Sequence, residues 1–202
     1  MNLRINNLAL TVLLAFFLSA CGERQPPVRL QSYGMIEDFS LTNQAGETVT
    51  AEQLKGKTWV ADFIFTSCAA ECPFLTRQLR TIQQLTDSER ETIAFVSLSV
   101  DPQTDTPERL TGYGEKYDVD FFNWHFLTGD PAELKRLIKE SFLLPVTIGS
   151  AEKAQLNKAN FIHSNRFIFV DPTGMARFHV DGMQEDAPSK VLAAIREIRR
   201  EG

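Results

Sequence analysis

The sequence predicts a single α/β domain built on a mixed sheet. Two mostly apolar runs of strand length, Trp59–Phe65 and Ile93–Val100, are separated by a segment of helical periodicity. A strand pair around Asp171-Pro172-Thr173-Gly174 is followed by an amphipathic stretch, Pro188–Arg200. The chain has 202 residues, 43% of them hydrophobic and 15 of them phenylalanine, so it can bury one good core without disulfides. Strands covered on both faces read as continuous apolar runs rather than alternations, and strands that alternate with helices favour a sheet with parallel pairs.

In chain order, Arg4 and the apolar run Leu8–Leu18 read as a targeting segment, the run being too short for a membrane span. Its end, Leu18-Ser19-Ala20-Cys21, resembles the lipobox of bacterial lipoproteins. Residues 1–20 are then a lipoprotein signal peptide and Cys21 is the lipid anchor. An ordinary cleaved secretory signal is the alternative, and both readings export the protein, the first leaving it on a bacterial membrane with the domain outside the cytoplasm. In a Gram-negative cell that is the periplasmic side. Removing residues 1–20 takes away one positive charge, Arg4, and moves the formal net charge from −5 to −6. No basic surface for nucleic acid is implied. Residues 21–33, polar and carrying Pro26-Pro27, read as a tether, and 34–202 as the domain.

The domain opens with a hairpin, Phe39–Leu41 and Thr48–Thr50 around Asn43-Gln44-Ala45-Gly46. Trp59–Phe65 follows as a central strand. Phe74, Leu75, Leu79, Ile82 and Leu85 recur at helical spacing, and Ile93–Val100 is a second buried strand. Thr104–Glu108 and Asp130-Pro131-Ala132-Glu133 each offer a polar cap and a first-turn proline, and Glu133 is placed to complete a capping box. The strands Arg166–Val170 and Met175–Val180 and the last helix close the domain.

Between the first buried strand and the first helix stand Cys68 and Cys72. A helix starting near Cys68 puts residues i and i+4 on one face, where two thiols can meet and where unsatisfied N–H groups favour thiolate. In an exported chain of this size, two close cysteines suit a working pair better than a staple. Two thiolates suit Cu(I), with Cu(II) a further charge state left open, whereas structural zinc wants four ligands. Copper there lacks at least one ligand. Of three histidines, His163 stands just before a strand, at a loop or strand mouth, and is the best third ligand. His125 and His179 read as structural strand residues. Asp101 and Asp105 suggest turn and capping roles, without a calcium site.

The run Cys68–Cys72-Pro73, the segment Ser99-Val100-Asp101-Pro102-Gln103-Thr104-Asp105-Thr106-Pro107-Glu108, and His163-Ser164 with Asp171-Pro172-Thr173-Gly174 resemble the Sco/SenC family, in that order along the chain. The resemblance covers roughly Met35 to the C-terminus. It implies a thioredoxin-like fold whose Cys-x-x-x-Cys pair binds copper with a distant histidine, here Cys68, Cys72 and His163. It also implies a membrane-tethered, outward-facing protein that helps build the dinuclear copper centre of cytochrome c oxidase. Ala69 stands where the family often has proline, and Ile162 where many members have an aspartate able to orient the ring.

Three functions are then open. A metallochaperone would hold copper on Cys68, Cys72 and His163 and pass it to a copper-centre subunit of cytochrome c oxidase or another copper enzyme. A thiol-disulfide oxidoreductase would attack a partner's disulfide with Cys68 and resolve with Cys72, itself reduced by a thioredoxin-like reductant. A peroxidase or redox sensor is the third, although Thr66 is two residues before Cys68 rather than the three of the usual peroxiredoxin pattern.

Overall fold

The computed structural model of the chain describes residues 28–142 and 164–201. The signal segment 1–20, Cys21 and His163 lie outside the described residues.

The strands are β1 (Gly34–Met35), β2 (Ser40–Thr42), β3 (Thr48–Thr50), β4 (Thr58–Ile64), β5 (Ile93–Ser99), β6 (Trp124–Leu127), β7 (Arg166–Val170) and β8 (Met175–Asp181). The helices are α1 (Ala51–Leu54), α2 (Glu71–Leu85), α3 (Pro107–Lys116), α4 (Pro131–Ser141) and α5 (Ala187–Glu201). Six strands form one sheet in the order β1-β8-β7-β4-β5-β6, and β2 and β3 pair as a separate hairpin. β4, β5 and β6 run parallel, while β7 is antiparallel to β4 and β8 to β7. This is the expected thioredoxin-like fold with its N-terminal hairpin. Among the described residues, no helix is long and apolar enough to cross a membrane.

All seven residues of β4 and all seven of β5 are buried, as the two apolar runs require. Successive side chains point to opposite faces, so the runs supply two cores. Trp59, Ala61 and Phe63 with Ala94, Val96, Leu98 and Val100 pack under α4 and the hairpin. Val60 and Ile64 with Ile93 and Phe95 pack under α2, α3 and α5.

The helix starts differ from the sequence reading in two places. Asp130 caps α4 by accepting from the Ala132 and Glu133 N–H groups, but the reciprocal half of the capping box does not form. The Glu133 carboxylate is taken instead by the Ser40 N–H at 2.7 Å, a contact 93 residues distant that no local pattern announces. A complete capping box does occur at Thr50 and Gln53, where α1 begins. Thr106, not Asp105, caps α3.

The chain is engaged before Gly34. Gln31 N donates to Arg177 O at 2.8 Å and Tyr33 N to Ala176 O at 2.9 Å, so the last residues read as tether run along β8. Val28 and Leu30 pack against the core that α2, α3 and α5 cover.

Candidate metal and thiol site

The site lies where β4 gives way to α2, at the C-terminal end of the central strand. That edge of a parallel sheet is where crossover connections leave the backbone free to hold ligands. β4 and β5 stay paired through Ile64 and Ser99, and Val100 N adds one more bond to Ile64 O at 2.9 Å. Beyond it the chain turns, with Cys68 N donating to Phe65 O at 3.1 Å.

Cys68 therefore belongs to this turn and not to the helix, which starts three residues later than the sequence suggests. Ala70 takes the N-cap position and offers no side-chain acceptor. The Cys68 sulfur fills that role, accepting the Cys72 N–H at 3.4 Å. The Glu71 carboxylate stands 3.8 Å from the same sulfur and accepts its proton in the thiol form. Pro73 sits in the first turn, where its missing N–H costs nothing.

The two cysteines are free thiols in unlike surroundings: Cys68 is half-buried, while Cys72, on the inner face of α2, is buried in the cluster that holds Val60, Ile64 and Leu75. Burial pushes the Cys72 thiol well above its ordinary range, opposed by a hydrogen bond from the Phe65 backbone and aided by the neighbouring Cys68 sulfur. The thiolate that a helix start was expected to favour is therefore disfavoured at Cys72, because loss of water outweighs the dipole there.

Two polar groups lie beneath this helix. Thr76 donates to Cys72 O at 2.8 Å, which leaves Tyr113 as the donor in the 2.8 Å hydroxyl contact to Thr76. On β4, Asp62 is fully buried, and one carboxylate oxygen accepts the Ser97 hydroxyl at 2.5 Å. Trp124 donates its indole N–H to the same Ser97 oxygen at 2.8 Å. The other Asp62 oxygen meets no donor among the described residues. Burial pushes the Asp62 carboxyl up to about 7, only partly opposed by Ser97.

Asp105 is another buried carboxyl, and the capping role suggested for it is wrong. One oxygen accepts both the N–H and the hydroxyl of Thr66, at 3.1 and 2.6 Å, and the other the hydroxyl of Ser99 at 2.5 Å. Burial raises its pKa, opposed by the hydrogen bonds from Ser99 and Thr66. Asp101 makes a turn, its carbonyl accepting from Thr104 and Asp105 N–H. The signal for these residues was present: Asp62, Ser97 and Ser99 are polar letters inside apolar strands, all on one side of the pleat.

Among the described residues, no three His, Cys, Asp or Glu side chains form a metal-binding group. His125, half-buried on β6, and His179, exposed on β8 and 5.3 Å from the Tyr33 ring, join no such group with the cysteines. The described site is a pair of sulfurs, a donor set that fits a soft ion and disulfide chemistry alike.

The SCO1/SenC family model matches residues 29–200, which include both cysteines and the Asp105 segment. The chain belongs to the SCO1/SenC family. It is similar to the SCO1 protein homolog of Bacillus subtilis strain 168, with 32% identity over 187 residues, 91% of this chain and 92% of that protein. A protein of Stutzerimonas stutzeri with a provisional copper-binding name is 30% identical over 160 residues, 76% of this chain and 75% of that one. The solved structure of BsSco superposes with a TM-score of 0.72 at 30% identity, covering 86% of this chain and 98% of that one. BsSco is described as a Sco-family cytochrome c oxidase assembly protein with a disulfide switch.

Proposed function

We propose that this SCO1/SenC protein binds copper and serves the assembly of the copper centre of cytochrome c oxidase or a similar exported copper enzyme. The observation that carries the reading is the joining of two free thiols, by the Cys72 N–H to Cys68 sulfur contact, at the exposed end of the central strand. Cu(I) would be held by the Cys68 and Cys72 sulfurs and by His163. Ser164 is buried and leads into β7, whose antiparallel pairing with β4 sets the start of β7 beside the end of β4. That supports His163 as the third ligand. Each thiol must lose its proton on binding, so affinity should rise as pH rises, and the raised pKa of the buried Cys72 carries that dependence on to high pH.

The unequal burial of the cysteines supports a second activity of the same pair. The Cys68 thiolate would attack a partner's disulfide, forming a mixed disulfide and releasing a partner thiolate. The Cys72 thiolate then attacks the Cys68 sulfur, closing the Cys68–Cys72 bond and freeing the partner's second thiol. Two electrons pass from this chain to the partner, and a thioredoxin-like reductant restores the dithiol.

The anchor belongs to the same proposal: residues 1–20 are removed, Cys21 is acylated, and the domain works outside the cytoplasm. Incorporation of labelled fatty acid, lost in Cys21→Ala, is the expected result.

The deciding experiment is a competition titration of the reduced chain with Cu(I) against a chromophoric chelator, beside Cys68→Ala and His163→Ala. Tight one-to-one binding that both substitutions weaken is the expected outcome. Weak binding, unaltered by His163→Ala, would leave only the thiol reductase.

A further inference from the structure

We propose that Asp105 is a positioning residue that holds the Cys68 turn in its reactive geometry; the inference rests on the role given above to the Cys68 and Cys72 thiols. β4 and β5 part after Ile64 and Ser99, and the turn that follows β4 has little regular structure to fix it. Asp105 spans the gap. Its three acceptor bonds reach Thr66, two residues before Cys68, and Ser99, the last residue of β5. The carboxylate is itself held in place from two sides. Asp105 N donates to Asp101 O at 2.9 Å, and Thr106, the next residue, caps α3.

The side chain is fully buried, so a carboxylate here is costly unless it is well bonded. Both oxygens have donors, which separates it from Asp62, whose second oxygen has none among the described residues. A carboxylate suits the task because it alone among side chains of this size accepts on two oxygens at once. The chain of contacts then runs from α3 through Asp105 to Thr66, from the turn to Cys68, and from the Cys68 sulfur to the Cys72 N–H. The N–H held against the sulfur fixes the direction in which the Cys68 side chain faces, and with it the access of a partner's sulfur. Asp105 thus acts on the chemistry through the placement of Cys68, without touching the sulfur.

The test is the rate at which Cys68 of the full reduced chain reacts with iodoacetamide, followed across pH by mass spectrometry. Thr66→Val removes one of the three bonds and no charge; it should slow the reaction at neutral pH by about three- to tenfold, the worth of one hydrogen bond, with the fold intact. Asp105→Ala removes all three, so in its background Thr66→Val should have no further effect, and Asp105→Asn, which keeps one acceptor oxygen, should fall between. An unchanged rate in folded Thr66→Val, or an equal slowing in the Asp105→Ala background, overturns the proposal. If Asp105→Ala does not fold, Thr66→Val and Ser99→Ala alone decide, through their rates at unchanged melting temperature. The Cu(I) titration of the unsubstituted chain is read separately. Its failure would remove the copper role while leaving the alkylation result to judge Asp105.

Discussion

The two faces of the central sheet are built from the same two strands and differ in what they admit. Toward α4 and the hairpin, β4 and β5 present Trp59, Ala61, Phe63, Ala94, Val96, Leu98 and Val100, without a polar side chain. Toward α2 and α3 they begin in the same way, with Val60, Ile93 and Phe95, and then present Asp62, Ser97 and Ser99 as they approach the cysteines. One face is a core that only has to pack. The other gives up apolar burial at the end where the chemistry is done, as functional sites commonly do.

That contrast can be broken most severely by moving the acid across the sheet. Val96→Asp, paired with Ala61 on the apolar face, should cost on the order of 5 kcal/mol or more, enough to abolish a cooperative thermal transition at pH 7, because no hydroxyl or indole stands there to meet it. A variant that melts cooperatively near the parent temperature would erase the distinction between the faces.

Removing the native acid should do the reverse. The folded-state pKa of Asp62 is raised to about 7, against 3.8 for an ordinary carboxyl. Below about pH 4 both folded and unfolded chains hold the proton, and its stabilising share is fully present. Between there and pH 7 only the unfolded chain releases the proton, so stability falls, by on the order of 4 kcal/mol in all. Asp62→Asn should therefore match the parent at pH 4 and exceed it at pH 8 by up to that amount. Denaturant titrations at the two pH values check it, and identical pH slopes in both proteins would show that Asp62 carries no such penalty.

A smaller effect tests how tightly the polar face is closed. The Cβ of an alanine at position 182 would lie 2.6 Å from side-chain atoms of Leu75 and Phe167. Gly182 N also donates to Asn165 O at 2.6 Å, so the backbone has little room to retreat. Gly182→Ala should cost about 1–3 kcal/mol, read as a lowered denaturation midpoint with an unchanged slope. No loss would mean that α2 and β7 can part without penalty.

The smallest change sharpens the comparison at the helix starts. α4 has Asp130 as its cap, whereas the first turn of α2 makes do with the Cys68 sulfur. Ala70→Asp should stabilise the fold by about 0.5–1 kcal/mol and slow the alkylation of Cys68, since the new carboxylate competes for the N–H groups that the sulfur now uses. A stabilised variant with unaltered thiol reactivity would show that the N–H to sulfur contact is incidental.

The central strands were legible because burial on both faces leaves apolar runs of strand length, β-branched and aromatic, and the helices α3 and α4 because their caps are local chemistry. What escaped was long-range. Glu133 pairs with Ser40 and Asp105 with Thr66, 93 and 39 residues apart, and in each case a side chain with a plausible local task is drawn to a distant donor. The cysteine pair was found from spacing, but its asymmetry was not. Helix position alone suggested thiolates, while the burial of Cys72 is set by Val60 and Ile64 from the sheet. The start of α2 slipped from Cys68 to Glu71 because Ala69 and Ala70 carry no stop or start signal.

The docking of residues 28–33 along β8 also sets a reach. With Cys21 acylated as proposed, residues 21–33 fully extended would span at most about 44 Å, whereas the docking begins at Val28, which the length of chain from Cys21 sets at most about 24 Å from the anchor. Under that proposal the domain would meet its clients by gliding in two dimensions, and a copper centre would be served only if it presented itself near the membrane surface.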